Sequence, residues 1–253
     1  MLGNGVFHGM YNPSVVWAND NRLLFDGVND YITVKNFKDF VDNDFADSFS
    51  VSFWFQHKGL VNVGSNQTFF RLKIGESGEE IKVIYDTLNA WVYVSRDESG
   101  NKGSVDSSHT LALSHANFQN QHNHFVITMA NGSGLAGINV YINSSDGGST
   151  SGTGDEWGSI ESLDYRFTLG SDGATKYLNG YMNNIAIYDR VLSSTDVGDI
   201  YNNGEPKNEL TNTQGDPVIY YVTNEKNFES NGDHNTMSGH TIEITGATIE
   251  PNV

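Results

Sequence analysis

The alternation of residue character along short segments constrains this chain most. In FSVSFWFQ (49–56), Phe49, Val51, Phe53 and Phe55 fall on one face, and Ser50, Ser52, Trp54 and Gln56 on the other. That period of two predicts a half-buried strand. KVIYD, NAWVYVS, HFVITMA, INVYINS and YMNNIAIYD repeat the theme: short, β-branched and aromatic, and bounded by Gly, Asn, Asp or Ser. In the last of these Ile185 and Ile187 share a face. Many short strands punctuated by turns specify an all-β, two-sheet antiparallel sandwich or jelly roll. Composition agrees, with 27 Gly, 4 Pro and 37% hydrophobic residues in 253.

One stretch departs from period two. In LSSTDVGDIYNNG, Ser193 can cap a first turn, with Asp196 as its reciprocal partner three residues on. Val197, Ile200 and Tyr201 then fall at helical spacing, predicting a short helix near 194–202 that packs on a sheet and stops at Gly204. Polar, Gly/Ser-rich loops are expected at 95–109 and 144–159, and a linker at 202–218. Beyond it, VIYYVTNEKNF and HTIEITGATIE return to β patterns. The expected division is a sandwich at 1–205 and a strand-rich extension at 206–253, packing on the sandwich or on a neighbouring subunit.

Charge and composition exclude several classes. Thirty-one acidic against 14 basic residues give a net charge of −17, which repels phosphate backbones, so no nucleic-acid partner is expected. Without cysteine there is neither disulfide nor thiolate chemistry. No apolar run approaches the roughly 18 residues of a membrane span, and no membrane insertion is expected. The start, MLGNGVFHGMYNPS, has neither a basic nor an apolar signal region, so no signal peptide is expected.

Four segments, in order, carry a resemblance. LLFDGVNDYITV, FSVSFWFQ, NHFVITMANGSGLAGINVYINS and the closing FTLGSDGATKYLNGYMNNIAIYDRVLSSTDVGDIYNNG resemble the motifs of laminin G-like, concanavalin A-like domains over residues 20–204. The resemblance implies a concanavalin A-like jelly roll and a function in glycan binding, protein binding or adhesion. Such modules also occur on bacteriophage virions.

Candidate sites follow from residues and resemblance together. Asp26, Asn29 and Asp30 crowd one turn, which reads as a hairpin; turn chemistry alone accounts for Asp-Gly and Asn there. The alternative is Ca²⁺, which takes several oxygen ligands. The resemblance implies a calcium joining this turn to the closing strand, where Asn183 stands in place of the family's Asp. His122 and His124 point the same way on a strand, but a transition-metal site needs more ligands than two. Trp54 and Trp157 are candidate sugar-stacking, ligand-binding surfaces. No catalytic residues are expected: adjacent Asp155 and Glu156 would point apart on a strand, and the alternating acid trio of sandwich glucanases is missing.

The expected function is therefore a non-catalytic binding and structural module. Missing cysteines and signal peptide favour a virion surface protein, such as a capsid decoration, fibre or tail component, over other extracellular locations. Its partners would be glycans or other subunits, as a homo-oligomer or part of a larger assembly. The alternatives are a carbohydrate-binding lectin-like module of a bacterial extracellular protein and, least favoured, a glycoside hydrolase.

Overall fold

The computed structural model describes residues 21–34, 48–58, 66–74, 79–86, 91–97, 107–112, 121–130, 138–149, 165–173, 175–207, 210, 217, 219–221 and 242–251. Trp157 lies outside them. Their strands are β1 (Asn21–Asp26), β2 (Tyr31–Val34), β3 (Ser48–His57), β4 (Asn66–Ile74), β5 (Glu79–Asp86), β6 (Trp91–Asp97), β7 (Ser107–Ala112) and β8 (His122–Ala130). There follow β9 (Ile138–Ile142), β10 (Ser145–Ser149), β11 (Tyr165–Leu169), β12 (Asn179–Tyr188), the helix α1 (Ser194–Tyr201), β13 (Ile219–Tyr221), β14 (Ile242–Thr245) and β15 (Thr248–Pro251).

They form two antiparallel sheets, the expected sandwich. Sheet A runs β10-β9-β8-β3-β12-β1-β15, with β13 also paired to β12; sheet B runs β14-β2-β11-β4-β5-β6-β7. The core lies between them, built from alternate residues of each strand, as period two requires. Phe49, Val51, Phe53 and Phe55 of β3 meet Phe125, Ile127 and Met129 of β8, and Phe69, Leu72, Val83 and Phe167 face them from sheet B. Phe53 stacks on Phe125 with ring centroids 5.4 Å apart and touches Phe69 at 5.3 Å. Such aromatic pairs add about 0.5–1.5 kcal/mol each beyond their area burial.

Two bulges keep this packing in phase. β12 shifts register between Asn183 and Ala186, and Asn184 adopts φ 47°. The extra residue lets both Met182 and Ile185 face the core, which strict alternation forbids. β4 shifts register against β5 between Thr68 and Phe70, and Phe69 and Phe70 both enter the core.

The outer face of sheet A carries a second apolar cluster. Val197 and Ile200 of α1 pack with Val126, Tyr141, Ala186, Tyr188 and Tyr220. α1 opens with the expected capping box: Asp196 N donates to Ser193 Oγ (3.2 Å) and Ser193 N to Asp196 Oδ2 (2.8 Å). Burial alone would raise the Asp196 pKa, but the bonds its Oδ2 accepts from Ser193 Oγ and Ser193 N (both 2.8 Å), with Arg190 at 3.1 Å, hold it below the usual carboxylate range. The helix stops at Asn202, in the left-handed region at φ 49°, two residues before the expected Gly204.

Three expectations are corrected. β3 is buried on both faces from Phe49 to Phe55, because α1 covers part of the side that alternation left to solvent. The loop expected at 144–159 includes β10, which pairs with β9. The third concerns residues 26–30: β1 pairs with β12 and β15 in sheet A, and β2 with β11 and β14 in sheet B. Their turn is a crossover between sheets and not a hairpin. The C-terminal strands use the same sheets, β14 lying beside β2, β15 beside β1 and β13 beside the end of β12.

Candidate functional site

At one rim of the sandwich, three crossovers between the sheets lie against one another. In the 26–30 turn, Asp26 Oδ1 accepts from Val28 N at 2.8 Å, and Asp30 Oδ2 accepts from Asp26 N at 2.7 Å. Gly27, at φ 82°, makes the bend. Asp30 is 3% exposed, and burial pushes its pKa above the ordinary carboxylate value. Its Oδ1 packs on Gly246 in the β14–β15 crossover, so closely that a Cβ there would collide with it. The third crossover, 170–178, packs its Gly170 against the Phe25 ring.

These contacts decide how the expected calcium ligands fit. Asp26 lies in register with Asn179, and Asn183 is four residues further along β12, about 13 Å at the rise of a strand. Asn183 pairs instead with Trp54, in the middle of sheet A. Both turn carboxylates already accept backbone N–H groups, and Asn29 is exposed. Asp26, Asn29, Asp30 and Asn183 therefore do not form one coordination sphere. The Asn183–Asn184 pair belongs to the bulge: Asn184 Nδ2 donates to Lys207 O and to Tyr220 Oη (2.9 Å), tying β13 and the segment after α1 to the sheet.

The outer face of sheet A divides into a covered and an open half. In the covered half, Trp54 is 3% exposed, 5.0 Å from the His124 ring and 5.8 Å from Tyr201, which stacks on it within 15°. Trp54 does point away from the core, as alternation predicted. It is nevertheless no sugar platform, because the last residue of α1 lies on it. Ser52 Oγ and His124 Nε2 are 2.8 Å apart, and burial pushes the His124 pKa down to about 3. No acid orients this Ser–His pair, since His124 Nδ1 is buried without a hydrogen bond.

The open half begins where α1 ends, and its residues come from neighbouring strands. Arg22 of β1 lies on the Tyr181 ring, 3.5 Å from guanidinium carbon to ring centroid, and its Nη1 donates to Gln56 Oε1 at 3.0 Å. His122 Nε2 bonds the same oxygen. Burial, helped by the Arg22 charge, lowers the His122 pKa to about 3. The two histidines expected as a possible metal grip do share a face, but each is bonded across to β3. Lys58 brings its Nζ to 5.5 Å from the same Tyr181 ring. This cluster was missed in the sequence, because its members lie on four strands and only the register unites them. Among the described residues no group of three or more His, Cys, Asp or Glu side chains could hold a metal ion.

Two antiparallel sheets, a capped helix on the outer face of one and an open polar half beside it define a lectin-like jelly-roll sandwich. The chain belongs to the concanavalin A-like lectin/glucanase superfamily, whose Laminin_G_3 family model matches residues 26–198. No curated protein matches the chain. Among solved structures it is similar to a provisionally assigned carbohydrate-binding protein of Bacteroides ovatus, at 13% identity and a TM-score of 0.57, covering 93% of this chain and 62% of that one. It is also similar to botulinum neurotoxin type C, whose cell entry depends on interaction with two ganglioside molecules, at 18% identity and TM-score 0.54, covering 72% and 42%. The binding domain of botulinum neurotoxin DC, in complex with rat synaptotagmin II, matches at 17% identity and TM-score 0.53, covering 78% and 46%. The chain thus spans less than half of the toxin chains and under two thirds of the Bacteroides one.

Proposed function

We infer that this protein is a non-catalytic binding module that presents its sandwich to glycans on a target surface. The observation that carries the reading is the division of sheet A. α1 seals one half of the outer face, and the other half keeps aromatic, amide and cationic groups at a partly exposed surface. Lectin sites combine such groups: ring faces for sugar C–H and fixed polar groups for hydroxyls. Against catalysis, no described strand carries two carboxylates two residues apart, the pattern that aims a pair of acids into one cleft. The relatives named above as binding domains support the same reading at the level of the fold.

The module would act on a surface as part of a larger assembly, and a virion is the setting we favour. A cysteine-free, strongly acidic chain suits it, and β14 and β15, the last of the described strands in their sheets, offer edges to a neighbouring subunit.

A glycan array probed with the intact chain tests the reading. Selective retention of one glycan class, with no new reducing ends released on prolonged incubation, is the expected outcome. Release of reducing ends would assign the chain to the hydrolases, and an array blank throughout would overturn the glycan-binding reading.

A further inference from the structure

We propose that the Tyr181 ring with Arg22 and Lys58 forms a subsite for the carboxylate of an acidic sugar; the proposal rests on the glycan-binding reading above. The first observation is a charge imbalance. In a chain of net charge −17, two cations converge on one ring, Arg22 at 3.5 Å and Lys58 at 5.5 Å from its centroid. Among the described residues neither is within salt-bridge distance of a carboxylate. Glu250 lies directly across from Arg22 on β15, yet the guanidinium turns instead to Gln56 and Tyr181. Two like charges on one ring, unpaired among the described residues, leave a local positive potential that an incoming anion relieves.

The second observation is preorganisation. Ring stacking and the Nη1 bond to Gln56 fix the guanidinium plane before any ligand arrives. Fixing that side chain in advance removes much of the entropy cost of using it. Arg22 Nε is buried without an acceptor, and among the described residues Nη1 alone of the guanidinium has a hydrogen-bond partner, Gln56 Oε1. Gln56 Oε1 is occupied by both Arg22 and His122, which turns the amide so that its NH₂ remains as a donor beside the cations. A planar guanidinium, one mobile ammonium and one amide donor suit a single carboxylate on a sugar ring. Arg22, Gln56, Tyr181 and Lys58 are all partly or fully exposed, so a surface glycan can reach them.

Titration calorimetry of the intact chain tests this with five probes: a sialic-acid-terminated glycan, a uronic-acid-terminated glycan, the neutral counterpart of each and a sulfated glycan. The variants are Lys58→Glu, on an exposed side chain where folding is not at stake, and Arg22→Gln, with its melting temperature recorded. Binding of at least one carboxylated probe, weakened about tenfold or more by either variant and by raised salt, is expected; which of the two binds identifies the source of the carboxylate. Equal binding of neutral probes, insensitive to both variants, would overturn the subsite and leave the binding module standing. Binding of the sulfated probe alone would overturn the carboxylate. Failure of every probe would overturn the subsite, and the glycan array decides separately whether the parent reading falls with it.

Discussion

At the scale of single residues, sheet A hides the groups that looked most functional and opens a set that looked ordinary. His124 shows why. It is 1% exposed, between Ser52 and the Trp54 and Tyr201 rings, and burial holds it neutral with a pKa of about 3. Unfolded, it titrates near 6.5. Between these values the unfolded chain binds a proton that the native state refuses. The contribution to stability is complete above about pH 6.5 and is lost as pH falls towards 3. His122 adds a change of the same sign. Denaturant melts of wild type and His124→Gln at pH 7 and 4.5 should show a smaller acid loss in the variant; equal losses would mean that His124 is not buried as described. The alternation of FSVSFWFQ revealed which side Trp54 faces. It could not reveal that the far side is also covered, because the covering residue, Tyr201, is 147 positions away and packs only through the sheet.

At the scale of elements, α1 and strands such as β3, β5, β6, β8, β9 and β12 were legible because period two and a capping box are local signals. What joins to what was not. LFDGVNDYITV reads as a hairpin, since Asp-Gly turns occur in hairpins, but β1 and β2 belong to different sheets. Asp30 is accordingly a brace: it accepts from Asp26 N and abuts Gly246 of the neighbouring crossover. Gly246 has φ 74°, so Gly246→Ala both strains the backbone and drives a methyl into Asp30. The expected cost is roughly 1–3 kcal/mol, read as a lowered denaturation midpoint with an unchanged slope. No loss would show that the two crossovers do not pack as described. The bulge at Asn184 was equally silent in the sequence. Asn183 read as a stand-in for the family's Asp at a calcium, whereas its neighbour Asn184 secures Tyr220 and Lys207.

At the scale of the whole molecule, residues 242–251 are strands of both sheets, and α1 decides which half of one outer face stays open. The family was legible from four ordered motifs; the candidate site was not, because Arg22, Gln56, His122 and Tyr181 meet only through register. The central claim is that this open half receives the ligand. Hydrogen exchange of the intact chain, with and without a glycan that binds it, tests that claim most directly. Protection concentrated in Asn21–Asp26 and at the Asn179 end of β12, with the strands beneath α1 unchanged, is the predicted result. Protection confined to sheet B, or to the loops of the opposite rim, would contradict it.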